Sequence, residues 1–231
     1  KLLDMGQPRL KMVVAASSQP TMNEVMGRPT EDDINIDIER VGAVRDAIGD
    51  KVELMIDANK CATLPQALKL AKALEQFNLT WFEDPVVQSD SRLMAQLRKD
   101  CNIPIAAGST GTNDLIHYRE FIMNDSVDIL QPNVRDIGGY TGGIKAAGIA
   151  QAFNIPLNMG GNWPHINMHL HAGVPNGGRI EFHWQGWKII EQYFDGAPLP
   201  DNGQVVLPET PGLGFNPKNG VIEEYTYNFT N

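Results

Sequence analysis

The sequence predicts an α/β fold, a TIM-type (β/α) barrel, and three observations carry that prediction. First, short apolar runs alternate with helical patterns along the whole chain, as repeated βαβ units and a parallel sheet require. Second, the runs Leu54-Met55-Ile56-Asp57, Trp81-Phe82-Glu83-Asp84-Pro85 and Ile105-Ala106-Ala107-Gly108-Ser109 recur at a constant interval. Position 57 to 83 is 26 residues, and 83 to 109 is again 26. That length suits one strand, one helix and two loops, so Asp57, Glu83 and Ser109 should stand side by side at one end of a sheet. Third, polar residues end several different strands: Asp57, Glu83, Asn133 and Glu181. An open sheet gathers its site at a single switch point, whereas a barrel gathers it from many strand ends.

The elements follow in order. Residues 11–16 read as a strand. Residues 37–48 read as a helix with Ile38, Val41, Val44, Ala47 and Ile48 on one face and Gly49 as its stop. A strand at 51–56 precedes a helix at 64–76, with Pro65 in its first turn, where the missing N–H costs nothing. Strand 79–82, helix 89–100, strand 103–106, helix 114–124 and strand 127–130 continue the alternation. Helix 141–153, strand 155–158, helix 166–173 and strand 179–182 complete it. From about residue 191 the chain becomes rich in Pro and Gly and should form an irregular tail. Connections are short, so residues 1–231 form one domain. The stretch 17–35 breaks the pattern. A helix and a second strand are due there, but Ser17-Ser18-Gln19-Pro20 and Gly27-Arg28-Pro29 have a loop composition.

Bulk properties narrow the function. A length of 231 residues lies within the range of such barrels, about 200 to 250 or more. A net charge of −9 argues against nucleic acid as a partner. No apolar run is long enough to span a membrane, and the N-terminal residues have no signal-peptide pattern. Cys61 and Cys101 lack metal-ligand spacing and suit a reducing cytoplasm as ordinary thiols.

Taken together, Ile56-Asp57-Ala58-Asn59, Trp81-Phe82-Glu83-Asp84-Pro85, Ala106-Ala107-Gly108, the run from Asp128 to Asn133, Gly138-Gly139 and Pro211-Gly212-Leu213-Gly214 resemble the enolase superfamily. Within it, the chain is most similar to the barrel domain of the mandelate racemase-like branch, which includes acid-sugar dehydratases. The resemblance implies a Mg²⁺ ion that holds a substrate carboxylate and stabilises the enediolate left when a base removes the α-proton. It makes Asp57 and Glu83 the first two metal ligands and puts Ser109 at the position of the usual third, a Glu. A neutral hydroxyl there predicts a weakened Mg²⁺ site, with Asp114 as a neighbour able to compensate.

The resemblance also places Glu181 as the carboxylic acid facing the developing oxyanion, Asn133 where an Asp partners a catalytic His, and Asn59 beside substrate or metal-bound water. The His position itself falls near Gly160, and His165, in the same loop, could fold back over the metal site. His169 and His171 read as packing or surface residues. Trp163, Trp184 and Trp187 could wall the site or simply pack. The family's Lys-x-Lys pattern, expected at the end of the second strand, is not found, and neither that strand nor the N-terminal capping domain is represented. Either these segments lie outside the 231 residues or they are deleted.

Two functions therefore stand. One is a Mg²⁺-dependent acid-sugar dehydratase or epimerase that abstracts the α-proton of a sugar-acid carboxylate, working as a homo-oligomer. The other is a catalytically impaired homologue, a scaffold or weak carboxylate and metal binder.

Overall fold

The structure is a computed structural model that describes residues 2–16, 28–108 and 114–227. Strands β1 (Arg9–Val13), β2 (Glu53–Asp57), β3 (Leu79–Glu83), β4 (Ile105–Ala107) and β5 (Ile129–Leu130) form one parallel sheet in sequence order. Parallel bridges from Leu130 to Leu157 and from Leu157 to Gly177 extend it by two further staves. Helices α1 (Glu31–Ile48), α2 (Leu64–Leu74), α3 (Ser91–Asp100), α4 (Leu115–Met123), α5 (Gly139–Ala152) and α6 (Pro164–Gly173) make the outer layer. Then come α7 (Trp184–Tyr193), an antiparallel pair β6 (Phe194–Asp195) and β7 (Asn216–Pro217), and α8 (Val221–Tyr225). This is the barrel architecture that the βα alternation predicts.

Side-chain alternation along the strands separates two cores. Leu54, Ile56, Phe82, Ile105, Ala107 and Leu130 face the helices and join the main core. Met55, Trp81, Ala106 and Ile129 pack together as a second cluster inside the barrel. Asp57 and Glu83 follow two residues after Met55 and Trp81, on that same inner face, and are paired across the ladder.

The departures from the sequence reading have local causes. Helix α1 starts at Glu31, six residues earlier than the apolar periodicity indicates. Thr30 caps it with a capping box to Asp33, and the acidic residues that read as loop form its favourable first turn. The sixth and seventh staves are bridges, not full strands; between them, past the Leu157–Gly177 bridge, the Asn158 Oδ1 accepts the Arg179 N–H at 2.6 Å. The tail is not irregular throughout: α7 runs to Tyr193, and Lys218 N–H donates to the Tyr193 carbonyl at 2.9 Å beside the β6–β7 pair. Finally, no stave separates β1 from β2, which pair directly from Arg9↔Glu53 to Val13↔Asp57. Strand β1 thus stands beside the Asp57 strand, where the resemblance expects the lysine-bearing strand. Part of the loop-like stretch, residues 17–27, lies outside the described residues.

Candidate active site at the barrel mouth

Four charged side chains from four staves meet in a cavity of about 1360 Å³ inside the barrel. Lys11 Nζ donates to Asp57 Oδ2 at 3.0 Å, to Glu83 Oε1 at 2.8 Å and to Glu181 Oε2 at 3.0 Å. The remaining carboxylate oxygens are held by other donors. Asp57 Oδ1 accepts the Asn59 N–H at 2.8 Å. Glu83 Oε2 accepts Trp81 Nε1–H at 3.1 Å and Gln131 Nε2–H at 2.9 Å. Glu181 Oε2 also accepts the Gly161 N–H, at 2.6 Å. Towards the opposite ends of the strands, the partly exposed Glu53 pairs with Arg9 at 3.2 Å and Arg179 at 2.5 Å, and the Arg179 guanidinium lies 5.8 Å from the Trp81 ring.

With every group ionised, three carboxylates face one ammonium, a formal charge of −2 for Asp57, Glu83, Glu181 and Lys11. Burial pushes the Asp57 carboxyl up to about 8, and the charge of Glu83 adds to the shift against the opposing pull of Lys11. Burial likewise raises Glu181. For Lys11, burial is the largest influence and opposes its charge, yet the carboxylates, Glu83 first, together outweigh it and hold the ammonium well above its ordinary value.

The donor set suits a hard divalent cation. Asp57 Oδ2 and Glu83 Oε1 converge on one point, the Lys11 ammonium, and both are hard carboxylate oxygens. Among the described residues, however, no three His, Cys, Asp or Glu side chains are grouped closely enough to hold a metal ion. The position expected for the third ligand, Ser109, lies outside the described residues. Asp114 does not compensate for it: exposed at the start of α4, it caps the N–H groups of Ile116 and His117 at 2.9 and 3.0 Å.

Asn59 borders the cavity with a left-handed φ of 46°, and its N–H orients Asp57. His165 and Asn133 do not reach the carboxylate cluster. The His165 Nε2–H donates to the Pro198 carbonyl at 2.7 Å, and its ring packs edge-on against Phe182 and Phe215. The loop before it therefore turns the imidazole towards the C-terminal segment and not over the acids. Asn133 is buried as a loop brace: Nδ2–H reaches the Gly160 and Asn162 carbonyls at 3.0 Å each, and Oδ1 accepts from Asn167 Nδ2 at 3.0 Å. His169 donates to the Leu213 carbonyl at 3.1 Å. His171 is buried against the Gly178 turn. Trp187 lines the cavity, Trp163 opens α6 in a left-handed conformation, and the Trp184 side chain is outside what the structure describes.

The sequence reading missed Lys11, Trp81 and Gln131. Lys11-Met12-Val13 carries one lysine of a Lys-x-Lys pattern, with Val13 at the second position, and that half-match on β1 was the available signal. Trp81 stands two residues before Glu83, on the same strand face. Nothing local marks Gln131 as a partner of Glu83.

Fold and site together define a parallel (β/α) barrel domain with a cluster of buried acids around one lysine inside it. Residues 2–221 match the Enolase C-terminal domain-like family, and the chain belongs to it. It is 33% identical over 193 residues to arabinonate dehydratase of Saccharolobus solfataricus, covering 82% of this chain and 51% of that protein. It is 32% identical over 189 residues to 3,6-anhydro-alpha-L-galactonate cycloisomerase of Streptomyces coelicolor, covering 82% and 50%. Among solved structures, a racemase from Streptomyces coelicolor A3(2) with bound magnesium superposes with a TM-score of 0.80 at 28% identity, covering 94% of this chain and 54% of that one. The chain thus spans about half the length of the curated relatives it matches.

Proposed function

We propose that this domain serves a Mg²⁺-dependent lyase or isomerase, a sugar-acid dehydratase or cycloisomerase acting by α-proton abstraction. The observation that carries the reading is the meeting of Asp57, Glu83, Glu181 and Lys11 in one cavity, with the two acids Asp57 and Glu83 at adjacent strand ends. The dehydratase and the cycloisomerase among its relatives support the substrate class. Asp57 Oδ2 and Glu83 Oε1 would hold the cation. When bound, it supplies charge to neutralise a substrate carboxylate and the enediolate formed from it. Trp81 and Gln131 fix Glu83 so that Oε1 faces the cavity. Burial favours the protonated form of Glu181, from which the carboxyl donates to a developing oxyanion. Lys11 is the amine nearest these acids; freed from them and deprotonated, it would accept or return a proton at Nζ.

The test is exchange of the α-hydrogen of a panel of sugar acids in D₂O, followed by NMR with and without Mg²⁺. Exchange that needs Mg²⁺ and disappears in Glu83→Gln supports the reading. A second reading, a carboxylate or metal binder without turnover, draws support from Val13 at the second lysine position and from His165 being bound to the Pro198 carbonyl. It predicts calorimetric Mg²⁺ binding with no exchange of any sugar acid.

A further inference from the structure

We infer that the Lys11 ammonium sits where the divalent cation would sit, so that cation binding and the Lys11 clamp exclude each other. The inference rests on the reading of Asp57 and Glu83 as cation ligands. Each carboxylate has one oxygen already committed to another donor: Asp57 Oδ1 to the Asn59 N–H, and Glu83 Oε2 to Trp81 and Gln131. The oxygens left for a cation are Asp57 Oδ2 and Glu83 Oε1, and both bind Lys11 Nζ. An ammonium has three donors, and the third is used on Glu181 Oε2. Mg²⁺ bonds to oxygen at about 2.0–2.1 Å, so an ion on the same two oxygens would overlap an amine held within 3.0 Å of each. Like charge adds to the steric conflict. The described carboxylates are thus spread around an ammonium and do not form a closed metal group.

A cation that enters must displace the amine. Lys11 has a flexible four-carbon stem and borders the large cavity, so it can swing into the lumen without unfolding β1. The consequence is an order of events. With no cation, Lys11 is tied up by three acids and is unavailable to a substrate. With the cation seated, the amine is released into the space where the substrate lies. The lysine thereby reports on the occupancy of the site beside it.

Calorimetric titration of Mg²⁺ into the wild-type chain and Lys11→Met tests this. Removal of the competitor is expected to tighten binding roughly tenfold or more, since the cation no longer breaks charge-assisted hydrogen bonds. Without cation, Lys11→Met should also unfold at lower temperature than wild type, and Mg²⁺ should raise its midpoint more than that of wild type. Equal or weaker binding by the variant overturns the inference. Absence of binding by both proteins overturns the reading of Asp57 and Glu83, and the inference with it. A measurement on the wild type alone decides the matter if Lys11→Met does not fold. Acetic anhydride labelling of Lys11, read by mass spectrometry, should rise several-fold when Mg²⁺ is added, and labelling that stays flat while calorimetry records binding refutes the competition.

Discussion

His171 offers a stability measurement that isolates one buried group. Its Nδ1 accepts the Gly178 N–H at 3.3 Å, so in the neutral ring the proton sits on Nε2, which is buried with no partner among the described residues. Protonation would add a hydrogen to Nδ1 facing another N–H and would bury a charge. Burial accordingly pushes the folded-state value down to about 4, while an unfolded histidine titrates near 6.5. Between those values the unfolded chain binds more protons than the folded one, so stability rises with pH across the window. The contribution is complete above about pH 6.5 and is lost as the pH falls towards 4. At about 1.4 kcal/mol per unit, the loss attributable to His171 is about 3 kcal/mol at pH 4 and a little under 2 kcal/mol near pH 5.3.

The comparison is urea unfolding of wild type and His171→Asn, followed by circular dichroism from about pH 4 to 7.5. The asparagine amide oxygen can accept from Gly178 in place of Nδ1, but it does not titrate. Other acid effects cancel in the difference, which should shift against wild type by about 3 kcal/mol on going to pH 4. A difference flat to within about 0.5 kcal/mol over the range would refute the buried neutral histidine.

Two further substitutions test how the barrel is held. Arg45, buried on α1, donates to the backbone carbonyls of Gly49, Val52, Phe77 and Asn78, tying the end of that helix to the segments before β2 and β3. Arg45→Met should cost about 3–5 kcal/mol in equilibrium denaturation, because charge-assisted bonds vanish and buried carbonyls lose their donor; a loss under about 1 kcal/mol would show that water replaces the guanidinium. Gly177 forms the bridge to Leu157, and a Cβ there would lie 1.9 Å from the His171 carbonyl oxygen. Gly177→Ala should cost more than about 3 kcal/mol or prevent soluble expression, since a backbone atom cannot step aside as a side-chain tip can, and a thermal midpoint equal to wild type would contradict that packing.

Much of the barrel could be read from neighbours in sequence. Period-two alternation in Leu54-Met55-Ile56-Asp57 and Trp81-Phe82-Glu83 places the acids on the inner face. The constant interval places them on adjacent strands, and their observed pairing follows. Helix α2 begins with a Thr63–Gln66 capping box and Pro65 in its first turn, all within four residues. Where local cues misled, a local rule was competing. Glu31, Asp32 and Asp33 look like loop residues by composition and are a helix start by position. Likewise, 155–158 and 179–182 look like strands, yet the structure has only single bridges at Leu157, and the Asn158 side chain takes the Arg179 N–H.

The site divides along the same line. Asp57 and Glu83 belong to strands whose pattern and spacing are contained in short windows, so steric and hydrophobic periodicity determine where their backbones go. Lys11, Trp81 and Gln131 gain their roles only through partners: Lys11 meets acids 46, 72 and 170 residues away, and Gln131 meets one 48 residues away. His165 is the reverse case. Its position in a loop near the expected base suggests chemistry, yet the Pro198 carbonyl, 33 residues on, captures it. A long or mobile side chain reaches several ångströms in many directions, and no pattern along the chain specifies which direction it takes. That choice is made by electrostatics and packing once β1 lies against β2 and the carboxylates of three other staves surround the lysine, which is why the equal spacing of the acids could be read in advance and the cation at their centre could not.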